Sequence, residues 1–132
     1  MRGARAVQRS ILKDFPNADI SVSIVWINML PRDTEASAKE SAKKFTSDQR
    51  VRHFYDPEKR SGIAIAQGLD AEEGMVAWDM YLFYEIGSEW GEIPPSPATW
   101  MHQLKGSSWA DSAHYHSGDA LIEELHTAMK VQ

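Results

Sequence analysis

Two histidines that flank a tyrosine, His114 and His116, are the side chains of this sequence best suited to hold a metal ion. On an extended segment alternate side chains point to the same side, and imidazole is a favoured ligand of zinc and related metals. His102 or Asp111 would be the candidate third ligand. The alternative interpretation is that both histidines are exposed polar groups leading into a helix cap at Ser117.

One carboxylate, Asp79, lies inside an otherwise apolar segment between Trp78 and Met80. A carboxylate that is buried on a strand resists ionisation and is a candidate acid or base. Strand alternation puts Trp78 and Met80 on the inner face and Asp79 with Ala77 and Tyr81 on the other. A hydrogen-bonded aspartate on the surface or facing a helix is therefore the alternative.

A third feature is a group of tryptophans in a proline-containing segment. Trp90, Trp100 and Trp109 lie within twenty residues of one another, and prolines occur at positions 94, 95 and 97. Amphipathic aromatic side chains are typical of ligand clefts and partner surfaces. These tryptophans and Asp79 therefore form a candidate ligand or partner surface, unless the indoles close a small core.

The absence of cysteine excludes thiol–disulfide chemistry and cysteine-based zinc sites for this chain. Glu85, Glu89 and Glu92 could supply paired carboxylates, but acidic residues around a turn are more often a solvated rim. Ser107 and Ser108 lack the Gly-x-Ser-x-Gly motif of a nucleophilic serine, and there is no phosphate-binding glycine loop. We therefore predict no catalytic residue and no cofactor.

The composition is that of one folded domain with a substantial core. Of the 132 residues, 42% are apolar, and no apolar run is long enough to span a membrane. The formal net charge of −5 would repel nucleic acid. Because there is no cysteine and no signal-peptide pattern at the N-terminus, we predict a cytoplasmic location.

Periodicity, caps and turn residues place these side chains on alternating helices and strands. In chain order they predict a helix over 4–15, a strand over 20–27, a helix over 34–46 capped by Asp33 or Thr34, a strand over 51–55, and a helix from Asp56-Pro57 to about Gly68. A strand over 76–84, a turn at Gly87, a return strand over 89–93 and a final helix after Ser117 follow. Residues from about 94 to 117 are predicted as an irregular Trp/Pro-rich loop, with a helical turn near 97–104.

Strands that alternate with helices favour right-handed parallel crossovers and an α/β fold. The order resembles that of thioredoxin-like proteins of the peroxiredoxin and thiol-reductase type. Ile20–Ile27 resembles the strand after the redox helix, and Val51–Asp56 followed by Pro57–Leu69 resembles the short strand, Asp-Pro and helix of that family. Val76–Tyr84 resembles its hairpin strand, and Leu121–Met129 its closing helix. The resemblance implies one domain over residues 1–132, with helices on both faces of a central sheet.

Two departures from the family pattern set the functional expectation. The first strand and the Cys-x-x-Cys motif are absent, so that Met1 stands about where the second cysteine would be and Arg2 where the basic residue follows it. The cis-proline of the family is absent too, since Met75-Val76-Ala77-Trp78 contains no proline. The resemblance therefore implies an N-terminally truncated core that has lost its redox activity.

The missing strand predicts self-association. In the family it lies between the strands matching Ile20–Ile27 and Val76–Tyr84, so its loss exposes backbone groups that each cost about 1–3 kcal/mol if kept from water without a partner. Direct pairing of these two strands, or a homodimer that fills the gap, would satisfy them.

We therefore expect a redox-inactive thioredoxin-like binding or self-association module. Two alternatives stay open. The chain could be a fragment of a thiol–disulfide oxidoreductase whose Cys-x-x-Cys lies upstream, which upstream coding sequence would show. It could also be a small metal-dependent or acid–base enzyme that uses His114, His116 and Asp79, for which metal analysis is the discriminating measurement.

Overall fold

Helices and strands alternate along the chain, as the α/β prediction requires. The structure, a computed structural model, describes residues 2–45 and 48–131. Met1, matched above to a family cysteine, and Thr46, the predicted end of the second helix, lie outside the described residues. The chain divides into two compact units, Met1–Lys59 and Arg60–Gln132. The assignment of residues 1–132 to a single thioredoxin-like domain stays a prediction.

The first unit begins with a helix whose winding changes along its length. Helix α1 covers Arg2–Val7 and continues directly as a π-helical segment, Gln8–Lys13. The buried side chains of that segment are Ser10, Ile11 and Leu12. The predicted first helix is thus confirmed, and Ile11 and Leu12 of its apolar stripe are buried.

Strands β1 (Val22–Ile27) and β2 (Val51–Asp56) pair in parallel, in continuous register from their first residues to their last. Parallel neighbours need a crossover, and here helix α2 (Glu35–Ala42) and a short 3-10 helix (Lys43–Phe45) lie between them in the chain. The predictions of two strands and an intervening helix are confirmed, with ends that differ by a few residues.

Helix α2 begins after Thr34, one of its two predicted caps. Thr34 Oγ1 accepts a hydrogen bond from the N–H of Ser37 at 3.1 Å, and Ser37 Oγ accepts one from the N–H of Thr34 at 2.9 Å. This reciprocal pair satisfies donors that the helix itself leaves open. Asp33 instead accepts from the N–H groups of Met29 and Leu30, in the preceding turn.

The second unit begins with helix α3 (Arg60–Gly68), which starts later than the Asp-Pro pair predicts. Asp56 is the last residue of β2, and Lys59 has a φ of 61°, in the left-handed region. A right-handed helix cannot run through such a residue, so α3 starts after it. At the other end, Gly68 closes the helix as predicted.

Strands β3 (Met80–Phe83) and β4 (Thr99–His102) form an antiparallel pair. The predicted return strand over 89–93 is therefore wrong, and so is the helical turn near 97–104. Register places Leu82 opposite Trp100, so the partner of β3 is the more apolar segment farther along the chain. Asp79 has a φ of 52°, which ends the extended backbone and makes β3 shorter than the predicted strand over 76–84.

Helix α4 (Gly118–Lys130) closes the second unit where the sequence predicts a final helix. Its buried residues are Leu121, Leu125, Ala128 and Met129. Among residues 2–45 and 48–131, no helix combines the length and apolar character needed to cross a membrane.

The described strands form two sheets of two strands each, β1–β2 and β3–β4. The direct pairing expected between the segments 20–27 and 76–84 is not among these ladders. The α/β class is therefore confirmed, whereas a single thioredoxin-like central sheet is not shown.

Candidate functional site

The loop that follows β4 is held at both ends by one buried histidine. His102, the last residue of β4, is only 1% exposed. Its Nδ1 accepts a hydrogen bond from the backbone N–H of Leu104 at 3.1 Å, which places the proton of the neutral ring on Nε2. Nε2 then donates to the carbonyl oxygen of Asp111 at 2.8 Å. The imidazole therefore ties residue 104 to residue 111.

Hydrogen bonds inside this loop hold it as well. Ser107 Oγ accepts from the backbone N–H groups of Trp109 and Ala110, at 3.3 and 3.0 Å. Gly106 has a φ of 68°, a left-handed conformation that glycine adopts at no steric cost. A loop braced in this way loses little conformational entropy when a molecule binds to it.

A cavity of about 350 Å³, broadly open to solvent, lies between this loop and the start of β3. The residue before β3 and the residue after β4 meet there because the strands are antiparallel, and the N–H of Gln103 donates to the carbonyl oxygen of Asp79 at 3.0 Å. Two indoles, those of Trp78 and Trp109, line the cavity together with Asp79, Gln103 and Lys105.

Opposite charges border the cavity, since Asp79 and Lys105 both line it and both are exposed. Behind them, Gln103 Nε2 donates to the hydroxyl of Tyr81 at 2.8 Å. Burial raises the pKa of Tyr81 to about 12. The hydrogen bond from Gln103 acts in the opposite direction, and the negative charge of Asp79 raises the pKa further. The phenol therefore keeps its proton at neutral pH and cannot serve as a general base.

The structure brings two of the four predicted surface residues, Asp79 and Trp109, to one cavity and leaves the other two elsewhere. Trp100 stacks on His114, with ring centroids 4.0 Å apart and planes inclined by 16°. Trp90 is half exposed and meets Tyr84 edge-on, with centroids 5.5 Å apart. These two indoles act in local packing.

Of the two histidines of the predicted metal site, His114 is bonded within the fold through its ring and His116 through its backbone. Nδ1 of His114 lies 2.9 Å from the carbonyl oxygen of Trp100, and the backbone N–H of His116 donates to the carbonyl oxygen of His102 at 3.0 Å. Tyr115 between them forms a β-bridge with His102, but His114 is the last residue of a 3-10 helix, Ser112–His114. The metal hypothesis assumed an extended segment, and the backbone is therefore not extended at His114. Within the described part of the chain, no three His, Asp or Glu side chains are grouped so that they could hold a metal ion.

Six cavity residues were not predicted as site residues: Trp78, Gln103, Leu104, Lys105, Ser107 and Ser108. Trp78 was placed on the inner face of a strand, but the backbone leaves the extended conformation next to it at Asp79. Gln103 and Lys105 fall in the segment predicted as irregular. The available signal was Gly106 followed by two serines, which is a turn pattern beside an apolar segment.

Comparisons with models of protein families, with curated proteins and with solved structures found no match. The function of the cavity is therefore inferred from its own chemistry.

Proposed function

We propose that this chain is a non-catalytic binding module whose loop cavity takes a neutral, polyhydroxylated molecule of the size of a mono- or disaccharide. The observation that carries the proposal is the cavity of about 350 Å³ in which two indoles lie beside one carboxylate and one ammonium group. This volume is in the lower part of the range of about 300–1,000 Å³ typical of small-molecule sites.

The lining suits a ring that has an apolar face and a polar edge. The indoles of Trp78 and Trp109 offer flat apolar surface for the C–H groups of a sugar. Hydroxyl groups can donate to Asp79 and accept from Lys105. Because these two charges are opposite in sign, they give the cavity no net charge that would favour an anion or a cation.

The loop supports the same conclusion through its rigidity. His102 and Ser107 accept or donate four hydrogen bonds that keep the segment in one shape. A site that is formed before binding spends less free energy on ordering, so a small ligand can be held by few contacts.

The relation to thioredoxin-like proteins is part of this proposal, as is a cytoplasmic location. Support for the first is the parallel pair β1–β2 with helix α2 between its strands in the chain, followed by helix α3. Support for the second is the absence of cysteine. A module of this kind would have no thiol chemistry of its own.

The test is a titration followed by ¹H–¹⁵N NMR, with glucose, maltose and N-acetylglucosamine as probes. We expect saturable shifts of the indole N–H signals of Trp78 and Trp109, with Kd values in the millimolar range, while the signal of Trp90 stays in place. The variant W109A is expected to weaken binding at least tenfold. W90F is the matched control, because that indole is exposed and outside the cavity.

Charge variants test the polar part of the site. D79N removes the negative charge and keeps a residue that tolerates the left-handed backbone at this position. K105Q removes the positive charge and keeps a side chain of similar length. Each is expected to weaken sugar binding several-fold. Shifts that do not saturate with any of the three sugars, or saturation by glycine but by none of them, would contradict the proposed class of ligand.

A further inference from the structure

The parallel sheet β1–β2 has one covered face and one open face. On the covered face Trp26 Nε1 donates to His53 Nδ1 at 3.1 Å, and the ring of Phe45 lies against that of His53 with centroids 5.7 Å apart. On the open face Val25 is 38% exposed and Phe54 is 52% exposed. The two are partners in the strand register, so they form one apolar patch.

The same face carries opposite charges on the two sides of Phe54. Residues two apart in a strand share a face, so Arg52 and Asp56 flank Phe54 along β2. Arg52 is exposed and Asp56 is half-buried. Along β2 this face thus presents a positive, an apolar and a negative side chain in turn. A second copy of the strand running in the opposite direction would place a negative charge opposite each positive one.

We propose that a second copy of this chain packs on this face, about a two-fold axis that passes near Phe54 and with the β2 strands antiparallel across the interface. Phe54 then packs against Phe54 of the partner subunit. Arg52 lies opposite Asp56 of the partner subunit, and symmetry forms this ion pair twice. Sheets pack face to face about 10 Å apart, a spacing that apolar side chains fill and that long charged side chains span at the rim.

Two properties of the face favour a second copy as its occupant. Parallel strands are almost always covered on both faces, so a parallel pair with an open apolar face is incomplete by itself. The charge order along β2 fits its own inverted copy without any other protein, and a two-fold interface requires that kind of self-complementarity. The proposal does not depend on the loop cavity, whose residues lie in the other unit.

The experiment is the mass in solution, measured by light scattering over a wide concentration range. The wild-type chain is expected to reach twice its 14.9 kDa mass. R52D and D56R each place like charges opposite one another, so each alone is expected to raise the dimer dissociation constant at least tenfold. A mixture of the two variants places unlike charges opposite one another at both pairs, and it is expected to restore the dimer mass.

The control is R32D, which reverses an exposed arginine outside the strands and is expected to leave the mass unchanged. F54S removes the apolar centre without changing charge and is expected to give monomers, so the result does not depend on whether D56R folds. A wild-type chain that stays monomeric at every concentration would overturn the proposal. A dimer that persists unchanged in both R52D and F54S would do the same.

Discussion

The guanidinium of Arg50 binds both carboxylate oxygens of Asp48, with 3.0 Å from Nε to Oδ1 and 2.7 Å from Nη2 to Oδ2. Its other hydrogens reach the backbone carbonyl oxygens of Leu12 and Phe15, at 3.0 and 2.8 Å. One side chain immediately before β2 therefore holds the end of the N-terminal helix.

Arg50 is accordingly expected to be important for stability. R50A removes charged donors from the carbonyl groups of Leu12 and Phe15 at the end of the helix, and we expect the free energy of unfolding to fall by about 2–4 kcal/mol. Urea denaturation followed by circular dichroism measures the change. R32A is the control, because Arg32 is exposed, and its effect should stay within about 0.5 kcal/mol. Equal losses in the two variants would contradict the assigned role.

The same ion pair predicts a loss of stability in acid. The side-chain hydrogen bond from Arg50 lowers the pKa of Asp48 from 3.8 to about 2. The unfolded chain therefore takes up the proton first as the pH falls, so the contribution is complete above about pH 4 and is lost as the pH falls through 2. D48N should flatten this part of the pH–stability curve, whereas D19N, at an exposed aspartate, should leave it unchanged.

A second pH dependence follows from His53. Burial lowers its pKa below the ordinary value of 6.5, and its Nδ1 accepts from Trp26 Nε1. Protonation is thus easier in the unfolded chain, and stability that is full above pH 6.5 decreases as the pH falls through the lower pKa of the folded state. NMR titration of the imidazole C–H signals measures that pKa directly. A value above 6.5 would show that the ring is not desolvated as the structure describes.

Gly68, the last residue of α3, has little room for a side chain. A Cβ there would lie 3.0 Å from the carbonyl oxygen of Pro94 and 3.2 Å from its Cγ. G68A should therefore lower the free energy of unfolding by about 1–3 kcal/mol, as overpacking does. G91A is the matched control, since its nearest contact is an ordinary 3.9 Å to the carbonyl oxygen of Ile93. Thermal or urea denaturation of both variants decides the comparison.

The brace that His102 supplies can be tested apart from any ligand. H102A leaves the N–H of Leu104 without its partner and removes one of the two donors to the carbonyl oxygen of Asp111, which keeps the backbone N–H of His114. Hydrogen exchange of the Leu104 amide should become at least tenfold faster, because an unpaired donor is no longer protected. The Gln103 amide, bonded to the carbonyl of Asp79, is the internal reference. Equal acceleration at both amides would indicate general unfolding instead of a released loop.

Local patterns predicted much of the secondary structure. The helix cap at Thr34 and the apolar stripe of α4 depend on residues within one or two turns, so they can be seen in the sequence. The strands β1 and β2 were found for the same reason, from runs rich in β-branched and aromatic residues.

The strand that pairs with β3 could not be predicted from such local patterns. Thr99–His102 was expected to be a helical turn, yet it is β4, in which Trp100 and Met101 lie opposite Leu82 and Tyr81. A strand of four residues is too short to show the alternation by which strands are recognised in a sequence. Its pairing is chosen by side chains distant in the sequence, which compete with the nearer segment 89–93.

The sequence by itself determined that this chain has no thiol chemistry, because a chain without cysteine has no thiol in any conformation. It also determined which segments form most of the helices and strands, although the ends of several elements differ from the predicted ones. Only the tertiary structure decided that Asp79 and Trp109 share a cavity while Trp90 and Trp100 do not. The physical reason is that a cavity depends on strand pairing and on a loop fastened by His102, and these contacts join residues that no local pattern connects.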